Sequence, residues 1–180
     1  MDRDNVKNII KDRKKILEER KNLFEKSYSG ISKIPSGRAS DKLTEGCLVL
    51  EGGAFRGLYT QGFLDALMLA DINLSCVIGV SAGALGGANY VSGQIGRSAR
   101  INLNYRADSR YIGKKALENS RSLLDVGFLT EDRGIIPETL DTIRFYRPEQ
   151  RFVAVATNAL NGETAYFEKG VCDDVIAGIR

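Results

Sequence analysis

A chain of 180 residues, 43% hydrophobic and 27% charged, has the size and composition of one globular domain, and a net charge of +3 is too small to argue for nucleic acid as a partner. The sequence holds no histidine, so a Ser-His-Asp triad is excluded within it. With no Cys-x-x-Cys pair either, a zinc site is not expected, and Cys47, Cys76 and Cys172 read as three separate, buried, small apolar residues.

Residues 3–27 predict one helix. Val6, Ile9, Ile10, Ile16, Leu17, Leu23 and Phe24 recur at intervals of three, four and seven, and Asp2 or Asp4 is placed to cap it. Charge concentrates here: residues 1–42 carry 12 Lys/Arg against 7 Asp/Glu, leaving a small negative balance for the rest. A basic amphipathic helix fits an anionic membrane surface, while the plainer reading packs it on its own domain or on a partner subunit. The N-terminus has no apolar signal-type core, and no stretch nears the ~20 apolar residues of a membrane span. The expectation is a cytoplasmic protein, with residues 1–27 offering peripheral membrane contact.

Residues 28–45 are rich in Ser, Gly, Lys and Pro and read as a linker. The predicted domains are therefore 1–45, helix and linker, and 46–180, an α/β domain. Cys47–Leu50 is a short apolar run of strand type, followed by the glycine-rich turn Gly52-Gly53-Ala54-Phe55-Arg56-Gly57 and an apolar helix to about Ala70. Cys76–Val80 predicts a second strand, and Ala82–Tyr90 a helix of small residues. Helical stretches are expected around 99–105 and 113–119. Arg151–Thr157 predicts a third strand, with Ala165–Glu168 its hairpin partner across Asn161-Gly162. Apolar strands alternating with helices indicate a mainly parallel sheet with helices on both faces. Val171 onward begins a helix with no stop signal, so the sequence is expected to be the front part of a longer protein.

Two turns carry the chemistry. Gly79-Val80-Ser81-Ala82-Gly83 is a Gly-x-Ser-x-Gly sequence, which 19 glycines and 12 serines would produce by chance in about one such chain in eight. Its context is stronger than the pattern. A nucleophile elbow needs a buried strand before it and a helix after it, because that tight turn lifts the serine oxygen clear of the backbone. The competing reading is that Ser81 only caps a helix. Gly52-Gly53-Ala54 stands where acyl transfer needs oxyanion donors, at a helix N-terminus with free backbone N–H groups. Arg56 either adds a fixed positive charge there or pairs with Glu51. A Walker loop is excluded because Leu58-Tyr59 follows Gly57, and a dinucleotide fingerprint because Ala54 replaces its middle glycine.

Together these two motifs resemble the patatin-like phospholipase family, nearest its bacterial branch. Residues 96–102 and 152–158 look like that branch too, and the resemblance spans roughly 46–180. It implies a three-layer α/β/α fold with a mainly parallel central sheet. It also implies a serine acyl hydrolase of lipid esters, of phospholipase or lysophospholipase type, working by a Ser-Asp dyad with no metal or organic cofactor. Ser81 inherits the nucleophile's role, with Gly79 and Gly83 as its motif glycines. Glu51–Gly57 maps onto the family's oxyanion loop, giving Gly52, Gly53, Ala54 and Arg56 that role and Gly57 its closing glycine; Ala54 departs from the family's third glycine. The family's aspartate stands in an Asp-Gly-Gly or Asp-Gly-Ala motif. This chain contains no Asp-Gly, and neither Asp173 nor Asp174 is assigned the role. The dyad aspartate is therefore expected beyond residue 180, and these residues alone are expected to be inactive. The alternative is a non-catalytic module of the same fold that binds lipid or a partner.

Overall fold

A computed structural model describes residues 30–130 and 138–179, together with Lys11, Lys14 and Lys15. The chain divides into two compact units, 1–33 and 34–180. In the first, the three described lysines are helical and Ile31–Lys33 form a 3-10 turn; the rest of the helix predicted over 3–27 lies outside the described residues.

The second unit begins with the two-residue strand β1 (Gly37–Arg38) and the strand β2 (Thr44–Leu50). Helix α1 (Gly57–Leu69) leads to β3 (Leu74–Val80), α2 (Ala82–Val91), the short β4 (Gln94–Ile95) and α3 (Arg97–Tyr105). Then come α4 (Lys114–Ser120), α5 (Gly127–Thr130), α6 (Thr142–Phe145), β5 (Arg151–Thr157), β6 (Thr164–Glu168) and α7 (Val175–Ile179). The sheet runs β2-β3-β5-β6, with β2, β3 and β5 parallel and β6 returning antiparallel from β5. This is the mainly parallel α/β sheet that the apolar strands predict. The unforeseen pair is β1 with β4, which ties residues 37–38 antiparallel to 94–95.

Topology sets where the helices lie. From β2 to β3 to β5 the chain steps one strand at a time in the same direction. Right-handed crossovers then place the connecting helices on one face of the sheet. Leu48, Leu50, Val77, Phe152 and Ala154 point to that face and join Leu64, Met68, Ala84, Ala88, Val175 and Ile176 in one core. Side chains alternate along a strand, so Cys47, Val49, Cys76, Ile78 and Val80 point to the other face. There Val49 is 77% and Val80 43% exposed. Cys47, expected to be buried, is exposed because it lies on an edge strand and on this second face.

The glycines of α2 fit it to its neighbours. A Cβ on Gly87 would lie 2.9 Å from Val77 Cγ1 and 3.1 Å from a ring carbon of Phe152, so this residue lets the helix rest directly on β3 and β5. Gly86 turns the other way, toward α1, where a Cβ would come within 2.5 Å of Gln61 Nε2. Tyr90, on the next turn, donates to Ile72 O (2.6 Å) and accepts from Leu74 N (2.8 Å), which pins the start of β3 to the helix. Among the described residues no helix is long and apolar enough to cross a membrane.

Candidate active site

The parallel pairing brings the two glycine-rich turns side by side. Leu50 stands in register with Gly79, so β2 and β3 end together. The chain leaves β2 into Gly52-Gly53 and leaves β3 into Ser81. A Cβ on Gly52 would lie 3.2 Å from Ser81 Cβ and 3.8 Å from Ser81 Oγ. The elbow needs its other glycines for the same reason. At Gly79 a Cβ would meet Gly83 O at 2.5 Å, and at Gly83 it would meet Leu50 O at 2.4 Å. These are backbone contacts, which cannot swing aside as a side chain can. Gly57 is less tight, with Ala82 Cβ at 3.1 Å.

Ser81 is exposed and occupies φ 52°, ψ −120°, a region that L residues avoid. It precedes the first turn of α2, yet its side chain makes no capping hydrogen bond. Its carbonyl instead closes the turn, accepting from Ala84 N (2.9 Å) and Leu85 N (3.1 Å). Capping therefore does not account for the hydroxyl. The geometry is that of a strand-to-helix elbow holding an oxygen free of its own backbone.

Across from it, Ala54–Arg56 form a single 3-10 turn with Gly53 before it. Ala54 adopts φ 48°, a left-handed conformation in which glycine is the unstrained residue. Arg56 folds back along the loop, so that a Cβ on Gly53 would be 3.7 Å from its Nε. Among the described residues Arg56 forms no ion pair, with Glu51 or any other acid, and its guanidinium stands as a cation beside the turn. The amides of Gly52, Gly53 and Ala54 donate to no acceptor among the described residues. Free N–H groups, an arginine and the N-terminal end of α2 make this corner electropositive.

The two turns open into a pocket of about 110 Å³. Ser81, Ala54 and Gly57 stand at one side of it. Leu58 and Gln61 of α1 and Ala82 and Leu85 of α2 form its walls, and Ser98, Asn102, Tyr111, Leu124 and Leu129 close it. The walls are mainly apolar. Burial pushes the Tyr111 hydroxyl far up, so it stays neutral, and it donates to Asn102 Oδ1 at 2.8 Å. Tyr111 and Tyr105 both pack on Phe128, with ring centroids 5.3 Å apart in each case. Among the described residues no aspartate or glutamate lines the pocket. Asp174 is exposed and accepts from Ala177 N (3.0 Å), and Asp65 is committed to Gly96 N (2.7 Å).

Ser81, Gly52, Ala54 and Gly57 thus stand together at one corner, with Arg56 alongside. Ser98 and Asn102 of the far wall fall within the family-like run 96–102, but nothing in the sequence places them, or Tyr111, in a pocket. Buried Arg97 positions that wall. It donates to Glu138 O and Leu129 O, each at 2.8 Å, and to Asn89 Oδ1 at 3.5 Å; burial lowers its pKa to about 10.

A family model described as patatin-like phospholipase matches residues 48–178. A curated relative, the uncharacterized protein YjjU of Escherichia coli strain K12, is 31% identical over 85 residues, which is 47% of this chain and 24% of that protein. The chain thus matches about a quarter of the length of that relative. No solved structure shows a significant match. The family match takes in the last three residues of β2, both glycine-rich turns, the described lining of the pocket and nearly all of α7, and on that ground the chain belongs to the patatin-like phospholipase family, whose members are lipid acyl hydrolases.

Proposed function

We propose that this chain supplies the nucleophile and the oxyanion site of a serine acyl hydrolase acting on lipid carboxyl esters, of phospholipid or lysophospholipid type. One observation carries the reading: a strained, exposed Ser81 hydroxyl, unused by its own backbone, stands against a loop of unpaired amides at the mouth of an apolar pocket. Neither the strain nor the unpaired donors contribute to the fold, and both fit acyl transfer.

In this proposal Ser81 Oγ attacks the ester carbonyl while its proton passes to an aspartate carboxylate from outside the pocket-lining residues described above. The amides around Gly53 and Ala54 receive the oxyanion, with Arg56 adding positive charge. The tetrahedral intermediate collapses with loss of the alcohol, and water then releases the acyl group by the same steps. Removing one oxyanion donor typically raises such a barrier by ~3 kcal/mol. The pocket walls hold the acyl chain. A cytoplasmic setting, with residues 1–27 touching the membrane surface, belongs to the same proposal.

The test uses the full-length protein. A p-nitrophenyl acyl ester and a fluorophosphonate probe are presented to wild type and to Ser81→Ala. Wild type is expected to label and turn over, and the variant to lose at least about a thousandfold in turnover. Equal turnover by the two would end the proposal. A second reading, a non-catalytic lipid- or partner-binding module, is favoured by the lack of a carboxylate among the described residues that line the pocket. Lipid binding retained by a wild-type protein that neither labels nor turns over would establish it.

A further inference from the structure

Cys47 and Cys76 are register partners on the parallel strands β2 and β3, and their sulfurs are 3.3 Å apart. Adjacent strands lie about 4.8 Å apart, inside the window of roughly 4.4–6.8 Å between Cα atoms that a disulfide can bridge. Both side chains point to the sheet face opposite the helices. Cys47 is exposed and Cys76 half-buried, so an oxidant reaches the first and the second lies directly beside it. Burial, followed by the contact with Cys47, pushes the Cys76 thiol up, so it keeps its proton at neutral pH. Beside them Arg151, the register partner of Cys76 on β5, is held by Glu168 through bonds of 2.6 and 2.9 Å. Cys172 is elsewhere, donating to Glu168 O at 3.2 Å.

The placement along the chain matters as much as the contact. Cys47 precedes Gly52 on one strand by the same number of residues as Cys76 precedes Ser81 on the other. A bond between them would tie together the two strands that deliver the candidate site.

We propose that Cys47 and Cys76 are an oxidisable dithiol, which a peroxide converts into an intrachain disulfide between β2 and β3. The Cys47 thiolate attacks hydrogen peroxide, an S–O bond forms, the O–O bond breaks, and the departing hydroxide takes a proton to become water. Cys76 sulfur then attacks the sulfenic sulfur of Cys47. The S–S bond forms, the S–O bond breaks, and hydroxide leaves with the Cys76 proton as a second water. Two thiols are oxidised and one peroxide is reduced. This chemistry does not depend on the hydrolase reading.

The experiment treats the reduced 180-residue protein with a small excess of hydrogen peroxide, then titrates thiols after denaturation, measures intact mass and maps peptides without reduction. Two of the three thiols are expected to disappear, with a mass loss of about 2 Da, a Cys47–Cys76 peptide pair, and full recovery in dithiothreitol. Cys172→Ser is expected to oxidise in the same way, and Cys47→Ser and Cys76→Ser to form no intrachain bond. Three surviving thiols, a terminal sulfinic acid on Cys47, a cross-link between chains, or a bond to Cys172 would each overturn the proposal. The mapping is done on wild type, so a variant that fails to fold does not shield it.

Discussion

At φ 52° and ψ −120° the Ser81 backbone sits where glycine is the unstrained choice. A non-glycine residue held there costs about 1–3 kcal/mol, and none of that is returned as a hydrogen bond from its side chain. Ser81→Gly should therefore raise the stability of the fold by about 1–2 kcal/mol while removing the hydroxyl. Urea unfolding of the two proteins decides this, and an unchanged or lower midpoint would show that the elbow is not strained. Ala54, at φ 48°, tells the same story more mildly. The family pattern marks it as the place where glycine is usual, and the left-handed backbone gives the reason. Its amide stays available, because a methyl group alters the approach to a donor and not the donor itself.

At the scale of elements, glycine in α2 and its elbow is a matter of contact distance. Gly83→Ala drives a methyl into Leu50 O and Glu51 O, and is expected to cost 3 kcal/mol or more or to abolish folding. Gly62→Ala, on the exposed side of α1 with nothing within 4 Å, is expected to be neutral or to stabilise by about 0.5–1 kcal/mol. Thermal melts of the two variants check the contrast, and similar melting points would refute it. These elements were legible early because runs of four to seven apolar, β-branched-rich residues next to turn residues are too short for helices and fit strands. Thr44–Leu50, Leu74–Val80 and Arg151–Thr157 extend the predicted strands by at most a few residues. The pocket's far wall and the β1–β4 pair were illegible for a common reason. Each depends on partners far away in sequence, and a serine, an asparagine or a two-residue strand leaves no local period to detect. The sequence suggests that Gly86 and Gly87 both let the helix pack closely on the sheet; Gly87 does so, whereas Gly86 packs on Gln61 of α1, because the two residues point to different sides of the helix.

Across the whole molecule, charged side chains join the segments that the sheet leaves separate. Arg100 donates to Glu138 through bonds of 2.7 and 2.5 Å and also to Pro35 O and Ile95 O, so one side chain holds three stretches of chain. The Arg100 hydrogen bonds, ahead of the opposing effect of burial, hold the Glu138 carboxyl below its usual range. A carboxylate depressed in the folded state adds stability that is present above its unfolded pKa and lost as pH falls through the folded value. Wild type should thus lose stability below about pH 4.5 more steeply than Glu138→Gln, whose neutral amide has no proton to gain. Denaturation midpoints from pH 6 down to about pH 3 measure this, and parallel curves would sink it. The carboxylate is more than a third exposed, so the effect is a change in slope and not a large loss at neutral pH.

The shared end point of β2 and β3 constrains how this protein can vary in length. Leu50 and Gly79 face each other one step before the turns, so a single inserted or deleted residue within either strand would slide one turn past the other and reverse which side chains meet the helices. The hairpin between β5 and β6 carries no such burden: Leu160 is 96% exposed and Gly162 has open space around it. Indels among homologous sequences should accordingly accumulate at that hairpin and be purged from the two strands, giving the site a fixed spacing even where the surrounding surface drifts.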